Sequence, residues 1–159
     1  MSETTFERYL KWVQGRFPQM PDHFFAVLGF AADVNAPDLV FVAPEDARRS
    51  DKRTIIQSAR AVFHDHGIRL YVLGDLLTTA DGRRYLLLLE EGEGINGHTA
   101  AFRVEATNDG GHRFVLDPEA VRCIEVHAEM RDVLRAPSME DRDAADKRIS
   151  EIKMYERRK

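Results

Sequence analysis

Helical spacing of apolar residues characterises the start of the chain. Thr4 and Glu7 match the T-x-x-E spelling of a capping box, and apolar residues then recur every three or four positions. We predict a first helix from about Thr5 to Gly15. Two prolines interrupt it, and Asp22 is a suitable N-cap for a second N-terminal helix over the apolar segment from Phe24 to Phe30. That segment is apolar nearly all round, so it should be buried.

Two short apolar runs then flank a longer helical pattern. Leu39 to Ala43 lies between prolines and suits a strand buried on both faces. The helical pattern ends at His66, with Gly67 as its C-cap, and Ile68 to Leu73 is again typical of a strand. This order of strand, helix and strand predicts a βαβ unit with a right-handed crossover.

After this unit the pattern predicts antiparallel hairpins. Asp81-Gly82 separates two apolar runs, and the segment from Asn108 to Gly111 joins two further strands. Within Val121 to Met130 (VRCIEVHAEM), we interpret Val121 to Ala128 as the last strand. Its apolar residues also fit a helical spacing, so the helical alternative stays open.

The end of the chain predicts a charged helix. Ser138 and Asp141 match a capping box, most of the last 20 residues are charged, and the apolar stripe is thin. We therefore predict one α+β domain (mixed α/β) over residues 1–137. Residues 138–159 form a C-terminal charged helix, which is a candidate interaction element.

Composition and charge narrow the functional classes. The 159 residues suit one globular domain, and the formal net charge of -4 gives no overall basic field for nucleic acid. The single cysteine excludes an intramolecular disulfide and fits a reducing compartment. No apolar run approaches the roughly 18 residues that span a bilayer. We expect a cytoplasmic protein with no membrane segment.

Two groups of residues resemble fragments of metal sites. His127 and Glu129 spell the H-x-E of zinc-dependent nucleobase deaminases, but that motif needs two further thiolates and the chain has only Cys123. We therefore reject a zinc site. As a strand, Val121 to Met130 places Cys123, Glu125 and His127 on one face.

The alternative metal site consists of carboxylates at the predicted strand ends. Open α/β sheets bind ligands beyond the carboxyl ends of parallel strands, where Glu45, Asp46 and Asp75 are predicted to lie. Converging carboxylates hold Mg²⁺ in hydrolases and nucleases. No glycine-rich phosphate loop follows the first strand, so we predict no nucleotide cofactor.

A basic stripe on the central helix is the candidate binding surface. Helical spacing aligns Arg49, Arg53, Arg60 and His64, which suits phosphate or an acidic partner. An ordinary solvated helix face has the same pattern. His64 and His66 also suit a capping role at the helix C-terminus.

The pattern as a whole favours a binding module over an enzyme. We predict a non-catalytic cytoplasmic protein, without cofactor or metal, that binds a protein partner or a second copy of itself. Its predicted contacts are an exposed sheet edge and, on the C-terminal helix, Ile149, Ile152 and Tyr155. The alternatives are a small Mg²⁺-dependent hydrolase or nuclease using the three carboxylates, and a nucleic-acid-binding protein using the basic stripe.

Overall fold

The computed structural model describes residues 5–17, 20, 24–30, 39–42, 49–92, 95–120, 133–134, 136–148 and 153–156. The elements in these ranges are α1 (Thr5–Arg16), β1 (Phe25–Phe30), β2 (Leu39–Val42), α2 (Arg49–Asp65), β3 (Leu70–Thr78), β4 (Arg84–Gly92), β5 (Ile95–Ala106), β6 (His112–Leu116), α3 (Met139–Arg148) and β7 (Lys153–Glu156). Among them, no helix has both the length and the apolar character needed to cross a membrane.

The strands of the described residues form one antiparallel sheet in the order β6-β5-β4-β3-β1-β2-β7. The fold is therefore α+β, as predicted. β2 and β3 both pair antiparallel with β1, so they run parallel to each other with β1 between them. The predicted strand, helix and strand are thus present, but the two strands are not neighbours in the sheet.

The segment predicted as a second N-terminal helix is strand β1, so that prediction is wrong. All six of its residues are buried. Phe25 and Val27 pack with the residues of α2, whereas Ala26 and Leu28 pack with those of α1 on the opposite face. A strand covered on both faces has a continuous apolar sequence, which periodicity cannot distinguish from a buried helix.

Two hydrophobic clusters, one on each face of the sheet, form the core. Phe41 and Leu73 pack against Ile55, Ile56 and Phe63 of α2 on the first face. On the second face α1 contributes residues that its helical spacing places on one side, chiefly Tyr9 and Val13. Each face of the sheet is therefore covered by a helix, as an apolar sheet requires.

Tyr9 is the central contact between α1 and the sheet. Its side chain is fully buried, and its hydroxyl donates a hydrogen bond to the carbonyl oxygen of Ala26 at 2.8 Å. Burial, and then the charge of Asp75, raise the pKa of Tyr9, so the hydroxyl keeps its proton. The ring lies against the backbone of Gly74, where a Cβ atom would be only 2.2 Å from the hydroxyl oxygen. Glycine at this position is what lets α1 approach β3.

Two hairpins in the sheet share the same turn. Thr79–Gly82 joins β3 to β4 and Thr107–Gly110 joins β5 to β6, both with the sequence T-x-D-G. In each turn the threonine hydroxyl donates to the aspartate carboxylate and so lowers the pKa of Asp81 and of Asp109. Gly82 and Gly110 both have φ of 84°, a conformation that suits glycine. Both predicted hairpins are confirmed.

Gly110→Ala is expected to lower the free energy of unfolding by about 1–2 kcal/mol, because alanine is strained at positive φ. Gly82→Ala should give a similar loss, since its turn has the same geometry. Asn108→Ala is the control: its side chain is exposed in the same turn, and the expected change is within about 0.5 kcal/mol. Chemical denaturation measures all three; equal stability of the Gly110 and Asn108 variants would contradict the prediction.

The C-terminal helix begins as predicted but ends earlier. The Ser138 backbone N–H donates to Asp141 Oδ2 at 2.9 Å, and the Asp141 N–H donates to Ser138 Oγ at 3.2 Å, which completes the predicted capping box. The prediction that the helix continues to near the C-terminus is wrong, because Lys153–Glu156 is strand β7. β7 pairs with β2, which would otherwise expose its outer backbone. This tertiary pairing overrides the helical preference of the local sequence.

Candidate functional site

The predicted basic stripe is interrupted in the folded chain. Arg49 begins α2, and Arg53 and His64 are exposed farther along it. Arg60 is buried, with 4% of its surface exposed, and its Nη1 lies 2.8 Å from Asp141 Oδ1 of α3. Arg60 therefore holds two helices together instead of lying on the surface. A residue 81 positions away in the sequence is its partner, which helical spacing alone could not show.

The carboxylate of Asp141 joins α3 to α2. Oδ1 accepts from Arg60, and Oδ2 accepts the Ser138 N–H that caps α3. Burial alone would raise the pKa of Asp141, but the Ser138 hydrogen bonds and the Arg60 charge lower it below its ordinary value. Arg142 and Asp65 form a second, exposed ion pair between the same helices at 3.3 Å. The described part of α3 thus packs against α2 of the same chain.

Of the remaining residues of the predicted interaction helix, the structure describes only Tyr155. Ile149 and Ile152 lie outside the described residues. Tyr155 is in β7, where it is opposite Val40 of β2. The three positions therefore do not continue α3 as one helical stripe.

Asp75 has a structural partner. It lies within β3 and not after it, is 3% exposed, and its Oδ1 is 2.8 Å from Lys52 Nζ of α2. The Lys52 ammonium also lies 5.8 Å from the centre of the Phe25 ring. Asp75 thus takes part in an internal ion pair that ties α2 to the sheet. Glu45 and Asp46 lie outside the described residues.

The other residues considered as metal ligands lie outside the part of the chain that the structure describes. Within that part, no group of three or more histidine, cysteine, aspartate or glutamate residues is placed to hold a metal ion. Cys123, Glu125 and His127 lie in Val121 to Met130, outside the described residues, so the choice between strand and helix there stays a prediction.

A shallow depression of about 230 Å³ lies at the C-terminal end of α2. Its lining includes His64, Arg69 and Gly67, and Gly67 has the positive φ of 66° that suits a helix C-cap. The ring Nδ1 of His66 lies 2.9 Å from the Val62 carbonyl oxygen, which fits the predicted capping role. The depression is smaller than typical ligand sites. Its lining consists of residues at and just after the end of α2, together with Leu134.

The candidate site is the outer backbone of β6, His112–Leu116, which we call the β6 edge. β6 is the outermost strand at its end of the sheet formed by the described residues. The Thr107 N–H donates to Gly111 O, and the Asp117 N–H donates to Ala101 O, so the odd-numbered residues between them pair with β5. By the alternation of an antiparallel ladder, the N–H and C=O groups of His112, Phe114 and Leu116 point outward.

The side chains beside the β6 edge are apolar on one face of the sheet. Leu116 is 56% exposed, and Phe114 is half-buried. Phe102 and Val104 of β5 are also half-buried, and Phe102 makes an edge-to-face contact with Phe6 of α1 at 6.4 Å between ring centres. The apolar surface under α1 therefore continues to the edge of the sheet.

The opposite face of the same hairpin is charged. Arg113 Nη2 lies 2.8 Å from Glu105 Oε1, and Arg103 Nε lies 2.9 Å from Glu105 Oε2. Hydrogen bonds from Arg113 and then from Arg103 lower the pKa of Glu105, so its carboxylate stays ionised. The β6 edge thus presents outward backbone groups between an apolar face and a charged face.

The β6 edge was only partly predictable. The strand pattern of residues 112–116 gave the strand, and an exposed sheet edge was predicted as a binding surface. The sequence does not show which strand lies at the edge, because strand order depends on pairings between distant segments.

Comparison with known proteins adds no relative: no family model matches the chain, and no curated protein or solved structure is significantly similar to it.

Proposed function

We propose that the protein is a non-catalytic module that binds another protein chain by strand addition at the β6 edge, in the cytoplasm. In the part of the chain that the structure describes, the outward N–H and C=O groups of Phe114 and Leu116 are the observation that carries this proposal. Unpaired backbone at a sheet edge is a template for an added strand, and several recognition domains use it. The single cysteine favours a reducing compartment.

The chemistry of the two faces determines which segment fits. An added strand makes its backbone hydrogen bonds to the outward groups, and alternate side chains then fall on opposite faces. Those on one face meet Phe114 and Leu116, and those on the other meet Arg113. We therefore expect an extended segment with apolar residues at every second position and an acidic residue between them.

The ion pairs of the described residues support a structural role for the buried charges. Asp75 and Asp141 are the buried carboxylates, and each is neutralised by a cation of α2, Lys52 or Arg60. Both pairs attach α2 to its neighbours. The packing of α3 on α2 also moves the proposed contact from the C-terminal helix to the sheet edge.

Leu116→Pro is expected to weaken partner binding at least about tenfold, a loss of about 1.4 kcal/mol. Proline removes one outward N–H and places its ring where the added strand must lie. The strand itself should persist, because the Leu116 N–H is not used in pairing with β5, and edge strands accept proline at such positions. Leu116→Ala is the matched control, since it removes the side chain but keeps the N–H.

The measurement is capture from an extract of the native host, with equal amounts of tagged wild-type chain and of the two variants. A partner that Leu116→Pro binds at least about tenfold more weakly than Leu116→Ala does supports strand addition, because both variants lack the leucine side chain and only the proline variant lacks the N–H. In that complex, hydrogen exchange should slow at the amides of Phe114 and Leu116 and change little at Val115. A partner held equally by the proline variant would show that binding lies elsewhere.

A further inference from the structure

We propose that a second copy of this chain occupies the β6 edge, with β6 paired antiparallel to the partner's β6 about a two-fold axis at Val115. This inference rests on the strand addition proposed above and specifies what is added. A two-fold axis places each residue of β6 opposite one defined residue of the partner subunit's β6. In an isologous pairing the same strand must complement itself.

The backbone restricts the choice of register. Only outward residues can form hydrogen-bonded pairs across the new ladder, so Phe114 must lie opposite His112, Phe114 or Leu116 of the partner subunit. These three registers place the two-fold axis at Arg113, Phe114 and Val115, respectively. In each of them the side chains of the two strands meet on both faces of the sheet.

The three registers differ in which residue of the partner subunit lies opposite the positive charge of Arg113. With the axis at Arg113, this exposed guanidinium lies directly opposite the partner's Arg113, and like charges opposite each other are unfavourable. With the axis at Phe114, Arg113 lies opposite the partner's Val115. With the axis at Val115, Arg113 lies opposite the partner's Asp117, and the symmetry repeats this ion pair. The third register is therefore the one in which the charges complement each other.

Arg113 and Asp117 can form the new ion pair and still keep their existing hydrogen bonds. Arg113 uses Nε and Nη2 to bind Glu105, and a guanidinium carries five N–H donors in all. Asp117 accepts the Ala120 N–H with Oδ1, and its carboxylate has a second oxygen. Positions 113 and 117 would form a non-hydrogen-bonded pair, in which side chains approach most closely.

The apolar face matches in the same register. Phe114 lies opposite the partner's Leu116, twice by symmetry, so a half-buried aromatic ring covers the side chain that is 56% exposed. Cross-strand pairs of aromatic and aliphatic residues stabilise sheets. His112 would lie opposite the partner's Pro118, which has no N–H, so the ladder ends there. The pairing is short, and we expect a dimer that dissociates on dilution.

A charge exchange tests the register on the full chain. Arg113→Asp places two carboxylates opposite each other, and Asp117→Arg places two guanidinium groups opposite each other. Each single variant should raise the dimer dissociation constant at least about tenfold, and the double variant R113D/D117R should recover most of that loss. Arg69→Gln is the control, because it removes an exposed positive charge just before β3, which β4 and β5 separate from β6 in the sheet.

Sedimentation equilibrium over a concentration series measures the dissociation constants, and circular dichroism verifies that each variant is folded. A folded wild-type chain that stays monomeric up to about 1 mM overturns the inference. A dimer that Leu116→Pro does not weaken, or a double variant that does not recover, overturns it as well. If the wild type is monomeric but host-partner capture still discriminates proline from alanine at Leu116, the second copy is excluded and strand addition stands.

Discussion

Asp141→Ala is expected to lower the free energy of unfolding by about 3–5 kcal/mol at neutral pH, because it breaks a buried ion pair by removing the carboxylate that accepts from the Arg60 guanidinium. It also removes the capping-box contacts of Ser138. Asp65→Ala is the matched control, since it breaks the ion pair with Arg142 between the same two helices where both side chains are exposed. That loss should be at most about 1 kcal/mol. Urea denaturation measures both variants.

The effect of Asp141 should depend on pH in one direction. The folded-state pKa of Asp141 is lowered, so its contribution to stability is complete above the unfolded pKa of about 3.9 and is lost as pH falls through the folded pKa. The stability difference between the wild type and Asp141→Ala should therefore be constant from about pH 7 to 5 and shrink below about pH 4. A gap below about 1 kcal/mol at neutral pH would contradict the role of the ion pair.

Gly74→Ala is expected to destabilise the fold by about 3 kcal/mol, at the upper end for overpacking. The new Cβ would lie 2.2 Å from Tyr9 Oη and 2.6 Å from Cζ, so α1 or β3 must shift. Gly15→Ala is the control within α1, because its Cβ would meet nothing within 4 Å. That variant should gain about 0.5–1 kcal/mol, as alanine favours a helix over glycine.

A double variant locates the origin of the Gly74 effect. Tyr9→Leu alone should be destabilising, because it loses packing and the hydrogen bond to Ala26. Combined with Gly74→Ala, it should destabilise by clearly less than the sum of the two single changes, since it removes the atoms that the new Cβ meets. Thermal or chemical unfolding of the four chains gives the coupling. Additive losses would show that the contact with Tyr9 is not the cause.

The elements that could be predicted from the sequence depend on short-range signals. The capping box that starts α3 involves residues three positions apart, and both hairpin turns depend on the glycines at positions 82 and 110. These contacts form between neighbours in the chain, so the sequence pattern determines them directly. The α+β class followed from the same local signals.

The features that could not be predicted depend on distant partners. β1 is a strand because helices cover both of its faces, and β7 is a strand because β2 offers it an edge. Arg60 was predicted to be exposed, since its partner Asp141 already had a local role in the capping box. The position of β6 at the end of the sheet likewise follows only from the strand order of the described residues.

The pairing of β2 with β7 has a consequence for synthesis on the ribosome. It joins Leu39 to Glu156, whereas the successive pairs from β3 to β6 join strands that are adjacent in sequence and therefore form sooner. This meander, with its outer strand, leaves the ribosome before residues 153–156 do. Nascent chains thus present the β6 edge while β2 still lacks its neighbour. Residues 39–42 must therefore wait for the last part of the chain before their sheet edge is covered.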